Sequence, residues 1–186
     1  MKSFAMLNIA QQGACTFKTN TTYLRRIEGY CRSSHHFPFL LLSMQLKIIS
    51  ISTPEYEAMK TLRAEVLLKP IGVPLTYIDP EKEAADILLG AFDKKDIIGC
   101  CILTHVDDDT LQLRQMAVDT RRQGTGVGAA IIAFAEDTAK AKGYKTLMMH
   151  AREPVVSFYQ KCGYRTSGER FFEVSLPHFK MEKRLA

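Results

Sequence analysis

No stretch of the 186-residue chain approaches the ~20 consecutive apolar residues that a membrane-spanning helix needs. The expectation is a soluble, cytoplasmic protein with no membrane partner. The start "MKSFAMLNIA" has one lysine and a short, weakly apolar run interrupted by Asn8, and "QQGAC" follows where a secretory leader would carry an A-x-A site. Cysteine spacing is equally uninformative of a metal. Cys15, Cys31, Cys100, Cys101 and Cys162 are odd in number, form no C-x-x-C pair and have no histidine at zinc-site spacing. His35-His36 likewise has no companion ligands. The expectation is a reducing compartment and no metal, with Cys100 and Cys101 as small buried hydrophobes on opposite faces of a strand. Charge of one sign is scarce as well. The net +5 divides into +4 on residues 1–43 (five Lys/Arg, one acid) and +1 on residues 44–186 (20 Lys/Arg, 19 Asp/Glu). A near-neutral body offers no footprint for a phosphate backbone, so nucleic acid is not an expected partner.

What is present begins at Met44. Residues 1–43 show neither helical nor strand periodicity and read as a tail outside the domain, or as a mis-assigned start; residues 44–186 read as one domain. "MQLKIISISTPEYEAMKTLRAEV" predicts a strand, a Ser/Thr-Pro helix start and an amphipathic helix ending near Leu67. A Pro/Gly-punctuated connection leads to a short helical turn after Asp79-Pro80. Three strands joined by charged turns follow, "ILLGAF", "IIGCCILT" and "LQLRQMAV", the triple aspartate 107–109 being a hairpin turn. A helix is predicted from Val127 to about Lys142, then the strand "KTLMMHA", a short helix begun by Pro154 and ended by Gly163, and terminal strands "RTSGERFFEV" and "HFKMEKRL". This order predicts an α/β (α+β mixed) domain with a mostly antiparallel sheet.

Between the third hairpin strand and the long helix lies "RRQGTGVGAAI", with glycines at 124, 126 and 128. It is not a nucleotide P-loop, because no Lys-Ser/Thr pair follows the glycines. It meets the dinucleotide spacing G-x-G-x-x-[G/A] only formally, since antiparallel hairpins precede it and the next strand ends without an acid. A plain strand-to-helix turn remains open. Against it, two arginines and a glutamine stand before a helix N-terminus, whose free N–H groups and dipole favour anions, and glycines let a pyrophosphate reach the backbone.

On these residues the chain resembles the GNAT acetyltransferase superfamily, whose acetyl-CoA motif is Q/R-x-x-G-x-G/A. "MAVDTRRQGTGVGAAI" resembles that motif with its strand, and "FYQKCGY" resembles the later F-Y-x-x-x-G-[FY] element. The end, "SLPHFKM", resembles a subgroup of small bacterial members with a G-I-P-H-x-x-M-like strand. Two registers fit the loop, from Arg121 or from Gln123; the second places the loop at the usual distance from "MAV". The resemblance implies the GNAT-like acyl-CoA N-acyltransferase fold over residues 44–184, with acetyl-CoA as co-substrate. It implies that Met116, Ala117 and Val118 pair with the pantetheine arm, and that Gln123, Gly124, Thr125, Gly126, Val127, Gly128 and Ala129 hold the pyrophosphate by main-chain N–H groups. Tyr159 matches the tyrosine that protonates the departing thiolate in many members. Arg152 departs from the pattern, standing where many members carry asparagine.

The implied activity is N-acetyltransferase, moving an acetyl group to a primary amine of a small molecule or peptide by direct attack in a ternary complex, as a monomer or homodimer. A non-catalytic acyl-CoA-binding regulatory module is the alternative. Acetyl transfer needs a neutral amine, and a lysine-like amine of pKa ~10.4 costs about 4.6 kcal/mol to neutralise at pH 7. Candidate bases are Glu65, His150 or the acids of residues 79–86; none is marked by spacing. The oxyanion would be met by a main-chain N–H near Ala117 or Val118, provided the strand bulges there. Tyr159 also falls on an apolar stripe with Val155, Phe158 and Cys162, so a packed core tyrosine is the competing reading.

Overall fold

The computed structural model describes residues 16–18 and 44–185. Its strands are β1 (Thr16–Lys18), β2 (Met44–Ile49), β3 (Ile87–Asp93), β4 (Asp96–Asp107), β5 (Thr110–Val118), β6 (Thr146–Arg152), β7 (Arg165–Thr166), β8 (Phe171–Glu173) and β9 (Leu176–Arg184). The helices are α1 (Pro54–Arg63), α2 (Pro80–Glu83), α3 (Val127–Ala141) and α4 (Val156–Lys161). The sheet runs β1-β2-β3-β4-β5-β6-β9-β7, with β8 paired to β9. Every pairing is antiparallel except β5 with β6, where α3 supplies the crossover that parallel strands require. This is the mixed, mostly antiparallel sheet expected from the element order.

Period-two alternation along the strands feeds two cores. Under α3 lie Leu89, Cys101, Leu103, Leu113, Met149 and Ala151, packed on Ile131, Phe134 and Ala135. On the other face Cys100, Ile102, Leu88 and Ala117 pack against Tyr56 and Met59 of α1. The adjacent cysteines therefore face opposite layers as expected, both thiols free, and burial pushes that of Cys100 up to about 12. Helix α1 starts as its sequence dictates. Thr53 caps α1, its Oγ1 accepting from the Tyr56 N–H at 3.3 Å, with Pro54 opening the first turn and Lys60 and Arg63 in the last. Beyond Arg63 the helix loosens into a π turn (Ala64–Leu68) and a 3₁₀ turn (Lys69–Ile71), ended by Gly72 at φ 69°. No helix among the described residues is long and apolar enough to cross a membrane.

Two features differ from the sequence expectations. "RTSGERFFEV" is not one strand: Gly168, at φ 82°, breaks it, leaving β7 and the short β8–β9 hairpin. Thr16–Lys18, within the segment read as a tail, adds an edge strand to β2. Three residues are too few to carry a periodicity. The rest of residues 1–43, with Cys15, Cys31, His35 and His36, lies outside the described residues.

The feature that positions the site is a parting of strands. β5 and β6 pair only from Thr110 and Thr146 to Leu113 and Met149. Beyond that point β5 continues to Val118 and β6 to Arg152 without pairing to each other.

Candidate active site

The parting opens a cleft of about 920 Å³, near the top of the ~300–1,000 Å³ typical of cofactor sites. It runs from the glycine loop at the start of α3, past Met116, Val118 and Tyr159, to His150, Arg152 and the β8–β9 hairpin. Alternation fixes what each strand presents. On β6, Leu147, Met149 and Ala151 belong to the core under α3, so His150 and Arg152 point to the opposite face; on β5, Gln112 and Arg114 do the same opposite Leu111 and Leu113. The cleft thus passes between the splayed strands and is lined from both faces of the sheet.

At one end the three glycines do different work. Gly124 (φ 75°) and Gly126 (φ 89°) take left-handed conformations that turn the chain into α3. Gly128 has an ordinary backbone, but a Cβ there would sit 3.2 Å from Phe158 Cζ and 3.4 Å from Met116 Cε. It supplies room. The first helical bond runs from the Ala130 N–H to the Gly126 carbonyl at 3.0 Å, so the N–H groups of Val127, Gly128 and Ala129 precede the intrahelical ladder; no side chain caps them. Gln123, Gly124, Gly126, Gly128 and Ala129 line the cleft. Thr125 is turned away, its hydroxyl donating to the Arg122 carbonyl at 2.6 Å, and Val127 is wholly buried in the core. These two can contribute only main-chain atoms.

The arginines before the loop are engaged elsewhere. Arg121 pairs with Asp119 (2.7 Å) and Arg122 with Asp93 (3.0 Å). Neither lines the cleft, whereas Gln123 does and donates from Nε2 to the Val118 carbonyl at 3.3 Å. Of the two registers, the one from Gln123 is the one whose first residue lines the cleft.

β5 bulges just before Ala117 and Val118, the residues to which the resemblance pointed; those two stay in regular register with β4. Cys100 pairs with Ala117 and Ile102 with Arg114, so Gln115 and Met116 face a single residue of β4. Gln115 sits at φ 47°, a strained value for a side-chain-bearing residue. A buried network holds it there. The Arg63 Nε donates to Gln115 Oε1 at 2.8 Å, and the same guanidinium makes a two-pronged pair with Glu83, Nη1 to Oε2 at 3.0 Å and Nη2 to Oε1. The Tyr56 hydroxyl donates to the same Glu83 carboxylate at 2.9 Å; burial and that carboxylate push its phenol well above the ordinary range. Arg63 has no exposed surface. Nothing in the sequence singled out Arg63 or Gln115. Glu83, grouped there with possible bases, is committed to this ion pair. Ala117 packs in the α1 core and does not line the cleft, unlike Met116 and Val118.

Tyr159 is buried at the cleft wall, its hydroxyl 3.5 Å from Met116 Sδ, with edge-to-face contacts to Phe158 and Tyr164. Burial raises its phenol well above the ordinary value. Thioether sulfur is a weak acceptor, so this hydroxyl is poorly satisfied and faces the cleft. The apolar stripe holds for Tyr159 and Cys162, while Val155 is exposed at the cleft rim. His150 lies in the cleft with Nδ1 2.9 Å from Glu173 Oε2 and its ring edge-on to Phe171. An ionised carboxylate only accepts, so Nδ1 carries the proton and Nε2 is the basic nitrogen. His178 is oriented similarly, its Nδ1–H donating to the Leu176 carbonyl at 2.8 Å and its ring stacked on Phe171. Glu173 and His178 were not legible as site residues, because the β8–β9 hairpin that returns them to β6 is a matter of sheet order. Glu65 stands apart: it is exposed, paired with Lys69 at 3.2 Å, and does not line the cleft.

Comparison with known proteins bears on this geometry. The family model for the acetyltransferase (GNAT) domain matches residues 56–185. The chain is 30% identical over 86 residues, 44% of its own length, to a Xenopus tropicalis protein named "Probable N-acetyltransferase 14". That match covers 42% of the relative, and the chain spans about half the length of the first curated relatives it matches. Among solved structures, a Lactobacillus plantarum protein described as an N-acetyltransferase superposes with a TM-score of 0.69 at 24% identity, covering 76% of this chain and 99% of the other. A GNAT family acetyltransferase from Elizabethkingia anophelis with acetyl-CoA bound gives 0.59 at 20% identity, covering 77% and 99%.

Proposed function

The chain belongs to the GNAT acetyltransferase family, and from that premise we propose that it transfers an acetyl group from acetyl-CoA to a primary amine of a small molecule or peptide, by direct attack in a ternary complex. One observation carries the reading: a single cleft joins free main-chain donors at the start of α3 to a carboxylate-oriented histidine on the opposite face of the sheet. Donor and acceptor can then enter from opposite sides and meet where β5 and β6 part.

In this reading the N–H groups from Gln123 to Ala129 bind the pyrophosphate, and Gly128 supplies the space it occupies. The main chain of Met116, Ala117 and Val118 pairs along the pantetheine arm. When bound, acetyl-CoA supplies an activated acyl carbon. The bulge at Gln115 and Met116 takes main-chain groups out of register with β4, providing a donor for the oxygen on which charge develops. His150, through Nε2, accepts the proton that the acceptor ammonium must lose. Tyr159 donates a hydrogen bond to the departing sulfur. A phenol is a weaker acid than a thiol by roughly 1.5 pH units, about 2 kcal/mol, and burial raises both. Tyr159 therefore acts by sharing its proton as charge grows on sulfur, ahead of full release.

The test is CoA thiol release with a panel of amines. Acceptor-dependent release above hydrolysis is expected; a protein that binds CoA and releases thiol with none of the panel is a binding module instead. Tyr159→Phe removes only a long bond to sulfur and should change folding stability by less than ~1 kcal/mol while lowering kcat about 10- to 100-fold. Unchanged kcat in the folded variant removes Tyr159 from the mechanism. His150→Gln should lower kcat/KM about 100-fold at neutral pH. A folded variant with undiminished kcat/KM would assign the base elsewhere.

A further inference from the structure

Resting on the acetyl-transfer reading, we infer that the acceptor is an apolar amino acid whose carboxylate is bound by Arg152. Arg152 ends β6, two residues beyond His150 on the same face of the strand, so their Cα atoms are roughly 6.6 Å apart at ~3.3 Å per residue. Its guanidinium is half-buried in the cleft and engages only the Leu67 carbonyl, at a long 3.5 Å. Among the described residues it has no carboxylate partner. A half-buried arginine with most of its N–H fork unused is a ready receptor for a carboxylate, which it can grip with two parallel bonds.

The donor's phosphates are bound elsewhere in this reading. Arg152 faces away from the α3 core and touches the turn that follows α1, whereas the glycine loop lies at the start of α3. Arg152 is also the residue that breaks the family pattern, so the position carries a charge where the resemblance implies a neutral amide.

The remaining wall sets the side chain. Leu67, Ile71, Val73 and Tyr77, from the turns between α1 and α2, line the cleft beside Arg152. They form an apolar surface with no carboxylate to receive a second amine. Arg114 lies on the same face, its guanidinium directed at the Thr104 hydroxyl 3.5 Å away and its charge met by the neighbouring Asp86 carboxyl. Glu173, the acid among the residues that line the cleft, is taken by His150. A polyamine or an aminoglycoside would set its extra cations against the apolar wall and the Arg152 charge. An amino acid places its amine by His150, its carboxylate on Arg152 and its side chain on the apolar wall.

The experiment compares kcat/KM for leucine, phenylalanine and methionine with their amides and with the amines that lack the carboxyl group, alongside spermidine and kanamycin. Each acid should exceed its amide by about 10- to 100-fold, mostly in KM, the range of a lost charge-assisted bond. In Arg152→Met that preference should collapse toward unity, with Arg152→Lys keeping part of it. An amide used as well as its acid, or spermidine or kanamycin used better than any acid, overturns the inference while leaving acetyl transfer intact. No transfer to any acceptor by a protein that binds CoA overturns both. The acid-to-amide ratio is read on the unaltered chain, so the test stands even where a variant fails to fold.

Discussion

Gly128→Asp should abolish CoA binding, weakening it at least ~100-fold, while leaving the fold intact or slightly more stable. A side chain at 128 meets only the far ends of Phe158 and Met116, at 3.2 and 3.4 Å, and both can give. Aspartate gains only about 0.3 kcal/mol over glycine in helix propensity, and a carboxylate in the first turn is favoured by the helix dipole by roughly 0.3–1 kcal/mol. Both effects lift the unfolding midpoint. The same carboxylate occupies the space left for a pyrophosphate and shares its sign. Two unit charges about 4 Å apart at an effective dielectric of ~20 repel by about 4 kcal/mol, and screening leaves enough for two powers of ten in Kd. Titration calorimetry with CoA, paired with a thermal melt, reads both quantities at once. A folded variant that binds CoA within tenfold of the parent would show that the loop is not the phosphate cradle. Gly124→Ala separates conformation from space: nothing lies within 4 Å of its Cβ, so any loss there comes from forcing φ 75° on a residue that resists it.

That contrast explains what the sequence could carry. The loop's geometry was legible because it is local: glycines, a helix start and N–H groups ahead of the helical ladder adjoin along the chain, and two glycines serve backbone geometry and one serves space. The sheet was legible for the same reason, since hairpins and the α3 crossover are contacts between neighbours in sequence. The far end of the cleft was not. His150 meets Glu173 across 23 residues, Arg152 meets Leu67 across 85, and Arg63 meets Gln115 across 52. Each pairing depends on which strand ends next to which, and no periodicity encodes that. Glu65 illustrates the converse. A carboxylate on a helix near the acceptor region looked eligible, yet the loosened turn after Arg63 leaves it on the surface with Lys69.

Arg63→Ala should be the most destabilising single change in the domain, by about 3–5 kcal/mol, because it strands the buried Glu83 carboxylate and the Gln115 amide together. For a domain near 140 residues that loss lowers the unfolding midpoint by roughly 10–15 °C. Glu83→Gln should do comparable harm from the other side, leaving the guanidinium without its counter-charge. Replacing both at once, Arg63→Met with Glu83→Leu, removes the unpaired charge and should recover the stability apart from the bond that the buried Tyr56 hydroxyl gives Glu83, since an apolar pair of similar volume often equals a buried ion pair. Recovery of stability is not recovery of function. Gln115 holds φ 47° at a cost of order 1–3 kcal/mol, and its tether to Arg63 is gone in the double variant. The bulge is then free to relax toward regular pairing with β4, withdrawing the donor aimed at the acyl oxygen, and kcat should fall at least tenfold in a protein that melts normally. Gln115→Gly offers the check: glycine accepts that φ without strain, which offsets part of the ~1–3 kcal/mol cost of leaving the buried Arg63 Nε without its acceptor, and a drop in kcat with CoA affinity unchanged ties the loss to the tether. A double variant with full stability and full turnover would show that the ion pair serves the fold alone and that the bulge holds its shape without it.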